Sequence, residues 1–369
     1  MGWMRVEVNT SVLRNNLRAV KGLLSKGTGV AAVVKSGAYG HGMLEAASVF
    51  VEEGVDMLAV SLLHEGVELR EAGFHLPLLL LGGIFPEEAE EVVARGLSPV
   101  VSSVASIREL SKAAARLGKV AGFHLKVDTG MGRRGCGEEE LHQLLQQISM
   151  HQGLVMEGLV SHLSVADVEG EDARLYTLGQ LERFKTVVAQ VRGSSFTPRW
   201  IHIANSAAIV SYPESHHSLV RPGIVLYGGL AGFQAARQAM RVSTRLVEVR
   251  RVKKGACISY GRTFVAPRDM VLGIAPVGYA TGYLRGLSNR GEALVGGKRV
   301  PVVGTVCMDL TLLDLSSLPG TQVGDEVVLL GTQGGEEISV FEVADWLGTI
   351  TYEVFCLLGN NPFAERCYL

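Results

Sequence analysis

The tightest constraint on how this chain can fold is an alternation of two residue patterns along its first two-thirds. Apolar, β-branched runs recur at about 29–35, 56–62, 77–83, 98–102, 121–127, 156–162, 200–205 and 218–221. Between them lie amphipathic stretches, at 43–53, 86–95, 107–117, 138–150 and 172–192, with apolar residues at helical spacing. Strand and helix in alternation read as a parallel sheet. Eight repeats favour a closed (β/α)8 barrel of the TIM type over an open doubly wound sheet, in an α/β fold.

The character of the chain changes near 232–241, beyond which short alternating segments are broken by glycine and proline. They predict antiparallel strands with hairpin turns, hence a mostly β C-terminal domain. The expected domains are 1–236 and 237–369, both within the usual size range. Val6-Glu7-Val8 alternates like a strand, so residues 1–10 are expected to pair with the second domain, with Asn9 or Thr10 capping a helix that begins near Ser11.

Composition excludes several functions. A net charge of -2 with interspersed signs offers no field for nucleic acid. The longest apolar run, 76–85, is too short to cross a bilayer, and Arg5 and Glu7 interrupt what a signal peptide would keep apolar. Five cysteines with no C-x-x-C pair point to reduced thiols in a cytoplasmic protein and to no metal site. The His216-His217 pair reads as a surface turn after Pro213.

Active sites on such barrels lie at the C-terminal ends of the strands, so residues there are the candidates for chemistry. Lys35 ends the first run and is followed by Ser36-Gly37-Ala38-Tyr39-Gly40-His41-Gly42. A lysine there reads either as a solvated cap on a buried strand or as a Schiff-base former. Asp128 to Arg133 follows the fifth run, His162 ends the sixth, Asn205-Ser206-Ala207 leaves the seventh, and Arg221-Pro222-Gly223-Ile224 leaves the eighth. Ser206 is a candidate N-cap whose hydroxyl and neighbouring N–H groups suit a phosphate, with Gly223 permitting close backbone approach. Each has a bland reading: a routine cap for Ser206, a core histidine for His162, a loop charge for Arg133, an ion-pair partner for Arg221.

Together these segments resemble those of alanine racemases. The resemblance runs through Lys35 to Gly42, Asp128 to Arg133, His202 to Ala208 and Arg221 to Gly228, and continues in Ser259-Tyr260-Gly261-Arg262-Thr263, Gly278 to Tyr283, Cys307-Met308-Asp309 and Tyr352-Glu353. It implies an isomerase that interconverts L-alanine and D-alanine on pyridoxal 5'-phosphate, supplies D-alanine for peptidoglycan, and works as a homodimer with shared active sites. Lys35 would hold the cofactor and act as base on the D side, and Tyr260 of the partner subunit would act on the L side. Tyr39, Ser206, Gly223, Ile224 and Tyr352 would hold the phosphate, Arg221 would face the ring nitrogen, and His162 would lie near Tyr260 and Arg221. Arg133 and the Met308 backbone would meet the substrate carboxylate, and Lys126 matches a position that is carbamylated in many relatives.

Four positions depart from the family pattern: Gly37 for asparagine, Thr281 for aspartate, Thr305 for arginine and Leu310 for glutamine. The tail from Asn360 departs too. Three rivals share parts of the site: a broad-specificity amino-acid racemase, a barrel-type decarboxylase and a non-catalytic cofactor-binding barrel. The Tyr260 and Met308 segments argue against the decarboxylase, and the second domain argues against the non-catalytic barrel.

Overall fold

The structure is a computed structural model that describes residues 3–369. The chain opens on strand β1 (Met4–Val8) and a helix over Thr10–Lys21. Asn9 is the cap, its Oδ1 accepting from Val12 N–H at 3.0 Å, while the Thr10 hydroxyl is spent on the Leu369 carbonyl at 2.7 Å. The fold divides into two compact units: one holds 17–36 and 44–226, the other holds the residues up to Asn16 together with 37–43 and 227–369.

The first unit is an eight-stranded parallel barrel. Its strands are β2 (Gly29–Val33), β3 (Met57–Val60), β4 (Leu78–Leu80), β5 (Ser98–Val101), β6 (Ala121–Lys126), β7 (Leu154–Val160), β8 (Trp200–His202) and β9 (Leu219–Val220), paired in the order β8-β7-β6-β5-β4-β3-β2-β9. Strands β2 to β5 are buried at every residue, as a sheet covered by crossover helices requires. Ser218 joins the two ends of this order: its Oγ accepts from Ile201 N–H at 2.7 Å and its N–H donates to the Ile201 carbonyl at 3.2 Å.

All eight expected strands are present; seven are shorter than expected, and β7 keeps the expected length but starts two residues earlier, so the candidate residues fall at the strand ends or in the loops that follow them. The helix expected at 107–117 starts at Val104, since Ser103 Oγ accepts from Ser106 N–H at 3.3 Å. A helix over Leu63–Glu71 was not anticipated, its apolar positions being too sparse to show a period. The His216-His217 expectation needs correction: His216 is buried and its Nε2 bonds the Ile209 carbonyl at 2.9 Å.

The second unit is mostly β. After β10 (Met240–Arg245), β11 (Glu248–Val252), β12 (Cys257–Ile258), β13 (Phe264–Val265) and β14 (Met270–Ala275) come β15 (Glu292–Val295), β16 (Lys298–Pro301), β17 (Thr311–Asp314), β18 (Glu326–Gln333), β19 (Glu336–Ile338) and β20 (Ala364–Tyr368). The main sheet runs β16-β15-β18-β10-β1-β20, with smaller sheets β11-β14-β17 and β12-β13. β1 pairs antiparallel with β10 and parallel with β20, so the all-antiparallel expectation fails for that one pair. Two helices, Val340–Leu347 and Thr351–Gly359, were also unanticipated. Ile258, Ala266, Met270, Leu272 and Val303 pack one of its apolar clusters.

Candidate active site

Lys35 follows β2 and opens a turn of unusual hand. Ser36, Gly37, Ala38 and Tyr39 have φ of 54°, 61°, 54° and 54°, a run in the left-handed region where only glycine is comfortable. The backbone is pinned on both sides. Glu65, buried at the start of the Leu63–Glu71 helix, accepts from Ser36 N–H at 2.5 Å and from Ser61 and Leu62 N–H at 2.8 and 2.9 Å. At the far end Gly42 N–H donates to the Gly37 carbonyl at 2.8 Å, and His41 Nδ1–H reaches the Ala38 and Tyr39 carbonyls, each at 3.1 Å. Glu65 and this handedness escaped the sequence reading, since a lone glutamate in a polar helix carries no signature.

Arg221, just past β9, is buried and sits among neutral acceptors. Its Nη1 donates to His202 Nδ1 at 2.7 Å, and its Nη2 serves the Ser161 carbonyl at 2.8 Å and His162 Nδ1 and the Ile203 carbonyl, each at 3.1 Å. Among the described residues no carboxylate pairs with it, so the ion-pair reading fails. Burial pushes the guanidinium down to about 9. Burial, and then the Arg221 charge, hold His162 and His202 well below the usual imidazole range, with Lys126 adding to both and Arg133 and Lys35 to His162. Lys126, the last residue of β6, is pushed down to about 8 by burial and by Arg221, Arg133 and Arg134.

The 128–133 loop wraps one carboxylate. Asp128 accepts from Gly130, Met131 and Arg133 N–H at 2.9, 2.7 and 3.2 Å, and the Arg133 side chain is exposed. Arg134, which the sequence reading passed over, anchors the loop by donating to the Gly82 and Val100 carbonyls. The cap before 206 is Asn205, whose Oδ1 accepts from Ala208 N–H at 3.0 Å, so Ser206 is not the N-cap. The buried Ser206 Oγ instead gathers Gly223 N–H at 2.9 Å and Val225 N–H at 3.4 Å, beside Ile224 at the start of a short 3-10 turn. Lys35, Lys126, Arg133, His162, Ser206, Arg221, Gly223 and Ile224 thus all follow or end strands on the C-terminal face of the barrel.

The remaining candidates belong to the other unit. The buried Tyr39 ring lies 5.1 Å from Tyr227 and 5.9 Å from Tyr352. Tyr260 is 72% exposed and Met308 is 54% exposed. Their loops are stitched through Thr305, whose hydroxyl donates to the Tyr260 carbonyl at 2.8 Å and lies 3.2 Å from Thr263 Oγ1, while Ser259 Oγ donates to the Thr305 carbonyl at 2.5 Å. The departure at Thr305 therefore has a structural use. Thr281 also closes its own turn, accepting from Gly278 N–H at 3.1 Å and donating to the Gly278 carbonyl at 3.0 Å. Among the described residues no His, Cys, Asp or Glu group forms a metal cluster, and no helix is long and apolar enough to cross a membrane.

Comparison with known proteins agrees with this geometry along the whole chain. The family models for the alanine racemase N-terminal and C-terminal domains match residues 8–231 and 239–365. An alanine racemase of Geobacter sulfurreducens is 42% identical, covering 98% of this chain and 96% of that protein. The alanine racemase of the D-cycloserine producer Streptomyces lavendulae superimposes with a TM-score of 0.93 at 30% identity, over 100% of this chain and 97% of that one. That of Bartonella henselae, solved with covalently bound pyridoxal phosphate, superimposes with a TM-score of 0.89 at 25% identity, each chain covered in full. With both family domains and the barrel-face residues in place, the chain belongs to the alanine racemase family.

Proposed function

We propose that the protein interconverts L-alanine and D-alanine with pyridoxal 5'-phosphate, as a homodimer whose sites are completed by Tyr260 and Met308 of the partner subunit. The observation that carries this reading is the buried Arg221, held by neutral acceptors and paired with no carboxylate among the described residues, on the same barrel face as Lys35. The donor set there suits the cofactor. Cationic Lys35, Lys126, Arg133 and Arg221 match an anionic ligand, and the buried Ser206 hydroxyl with the Gly223 and Ile224 backbone forms a cradle for a phosphate.

Bound there, pyridoxal phosphate supplies an electron sink that acidifies the α-carbon of an amino acid. Lys35 would hold it covalently through its amine. Even at about 9 the buried guanidinium keeps its proton at neutral pH, so Arg221 would give the ring nitrogen a hydrogen bond without protonating it. That moderates the sink and favours simple proton transfer over side reactions. Arg133 and Met308 N–H orient the substrate carboxylate, and the exposure of Tyr260 and Met308 supports their service to a neighbouring chain.

Inversion then needs one group on each face of the α-carbon. Lys35 Nζ takes or returns the proton on the D side, and the Tyr260 hydroxyl on the L side. The test is α-proton exchange in deuterated water with chiral analysis of alanine. Tyr260→Phe should keep exchange from D-alanine, lose it from L-alanine, and racemise about two to four powers of ten more slowly. Equal loss from both enantiomers rejects the face assignment, and absence of alanine racemisation in the parent protein rejects the function.

A further inference from the structure

The barrel holds a buried histidine that the chemistry above does not use. His124, in β6, is fully buried, and its Nδ1 lies 2.7 Å from His202 Nε2, with the two rings nearly perpendicular at a centroid distance of 5.0 Å. Two features of the barrel make room for it. The ladder between β6 and β7 shifts register between Phe123 and His124, and a Cβ at Gly158 of β7 would overlap the His124 ring. A strand with a bulge and a glycine beside one polar ring gives up packing for that ring.

We infer that His124 is a positioning residue that fixes the tautomer of His202 and through it aims the Arg221 guanidinium. The direction of each hydrogen bond is dictated by valence. Arginine only donates, so His202 Nδ1, at 2.7 Å from Arg221 Nη1, must be bare and its proton must sit on Nε2. His202 Nε2–H then donates to His124 Nδ1, which must also be bare. His124 therefore carries its proton on Nε2, and that atom is buried with no partner among the described residues. The chain of donors runs outward from Arg221 and stops at an unsatisfied N–H. A leucine or phenylalanine would carry no such cost, so what the histidine contributes is the acceptor.

Both rings stay neutral in this arrangement, as it requires: burial, with the Arg221 charge, pushes His124 down to about 3 and His202 well below its usual range. Without the acceptor, the His202 proton is free to settle on Nδ1, donor against donor, and Arg221 Nη1 is turned away. His162 shares Arg221 through Nη2 and would feel the same displacement.

The experiment compares His124→Phe with His124→Asn in the holoenzyme, the second keeping an amide oxygen near the place of Nδ1. The readouts are the ¹⁵N spectrum of His202, assigned with His202→Gln, and steady-state racemisation of alanine. The parent protein should show an Nε2–H His202. In His124→Phe that tautomer should be lost and kcat fall about ten- to a hundredfold with KM little changed, the scale by which losing the hydrogen-bond partner of a metal-bound histidine lowers activity. His124→Asn should recover the tautomer and most of kcat. Should His124→Phe fail to fold, His124→Leu against His124→Asn gives the same comparison. An unchanged His202 spectrum without the acceptor, or an asparagine variant no better than the apolar one, overturns the inference. The kinetic half rests on the racemase reading and the spectral half does not, so failure of one is distinguishable from failure of the other.

Discussion

Lys126 shows how a single side chain can change character through its surroundings. It ends β6 with 9% of its surface exposed, and burial among arginines brings its amine down to about 8. The ammonium form dominates below that value and the free amine above it, so roughly a tenth is nucleophilic at pH 7. The free amine can add through Nζ to the carbon of carbon dioxide, releasing one proton and leaving a carbamate anion beside Arg133 and Arg221. Intact-mass measurement in bicarbonate should therefore show one added carbon dioxide, more at pH 8 than at pH 6, and none in Lys126→Ala. An unmodified protein at pH 8 in excess bicarbonate would reject carbamylation at this residue.

The turn after Lys35 is the element in which the departure at Gly37 finds a physical cause. Three of its residues other than glycine, Ser36, Ala38 and Tyr39, adopt left-handed φ, each at about 1–2 kcal/mol. Such a turn persists only where its surroundings over-determine it, here through Glu65 on Ser36 and the His41 and Gly42 bonds. Gly37 is glycine for two reasons: its φ is 61°, and a Cβ would overlap the Asn360 Oδ1. The departure at 37 and the unusual tail thus meet in one place. Gly37→Ala should destabilise the protein by about 1–3 kcal/mol, and adding Asn360→Ala should restore the steric part while leaving the φ cost. Urea unfolding checks both, and a neutral Gly37→Ala, or a double variant no more stable than the single, contradicts the packing argument.

At the scale of the whole molecule, the two proposed bases lie in different compact units, Lys35 in the barrel and Tyr260 in the β unit. The proposed dimer pairs the barrel of one subunit with the β unit of the other. A site divided in this way permits complementation between two inactive chains. Lys35→Ala lacks the cofactor amine and Tyr260→Phe lacks the L-side group, so each alone should be nearly inactive. After subunit exchange, hybrids should carry one site with both groups intact and regain up to about a quarter of the parent activity if the two subunit types mix at random. No recovery after exchange verified by mass would place both bases in one chain.

Local pattern by itself determined the architecture: apolar, β-branched runs at regular spacing must become buried parallel strands, and glycine-broken alternation must become the β unit. It also placed the candidate residues together, because barrel topology sends every strand's C-terminal end to the same face, so Lys35, His162, Ser206 and Arg221 fall where the strand runs end. Contacts between residues distant in sequence were decided only by the tertiary structure. β20 was missed because its parallel partner is at the other end of the chain, and its residues Ala364–Tyr368 carry no apolar period. Ser206 gave way to Asn205 as the cap because Gly223 and Val225 claim its hydroxyl from a different strand end. His124 read as one more residue of a buried run, and its hydrogen bond exists only because Gly158 leaves space and His202 lies opposite. Propensity and periodicity are properties of neighbours along the chain, whereas tautomers, lowered pKa values and a left-handed turn are imposed by groups that folding alone brings near.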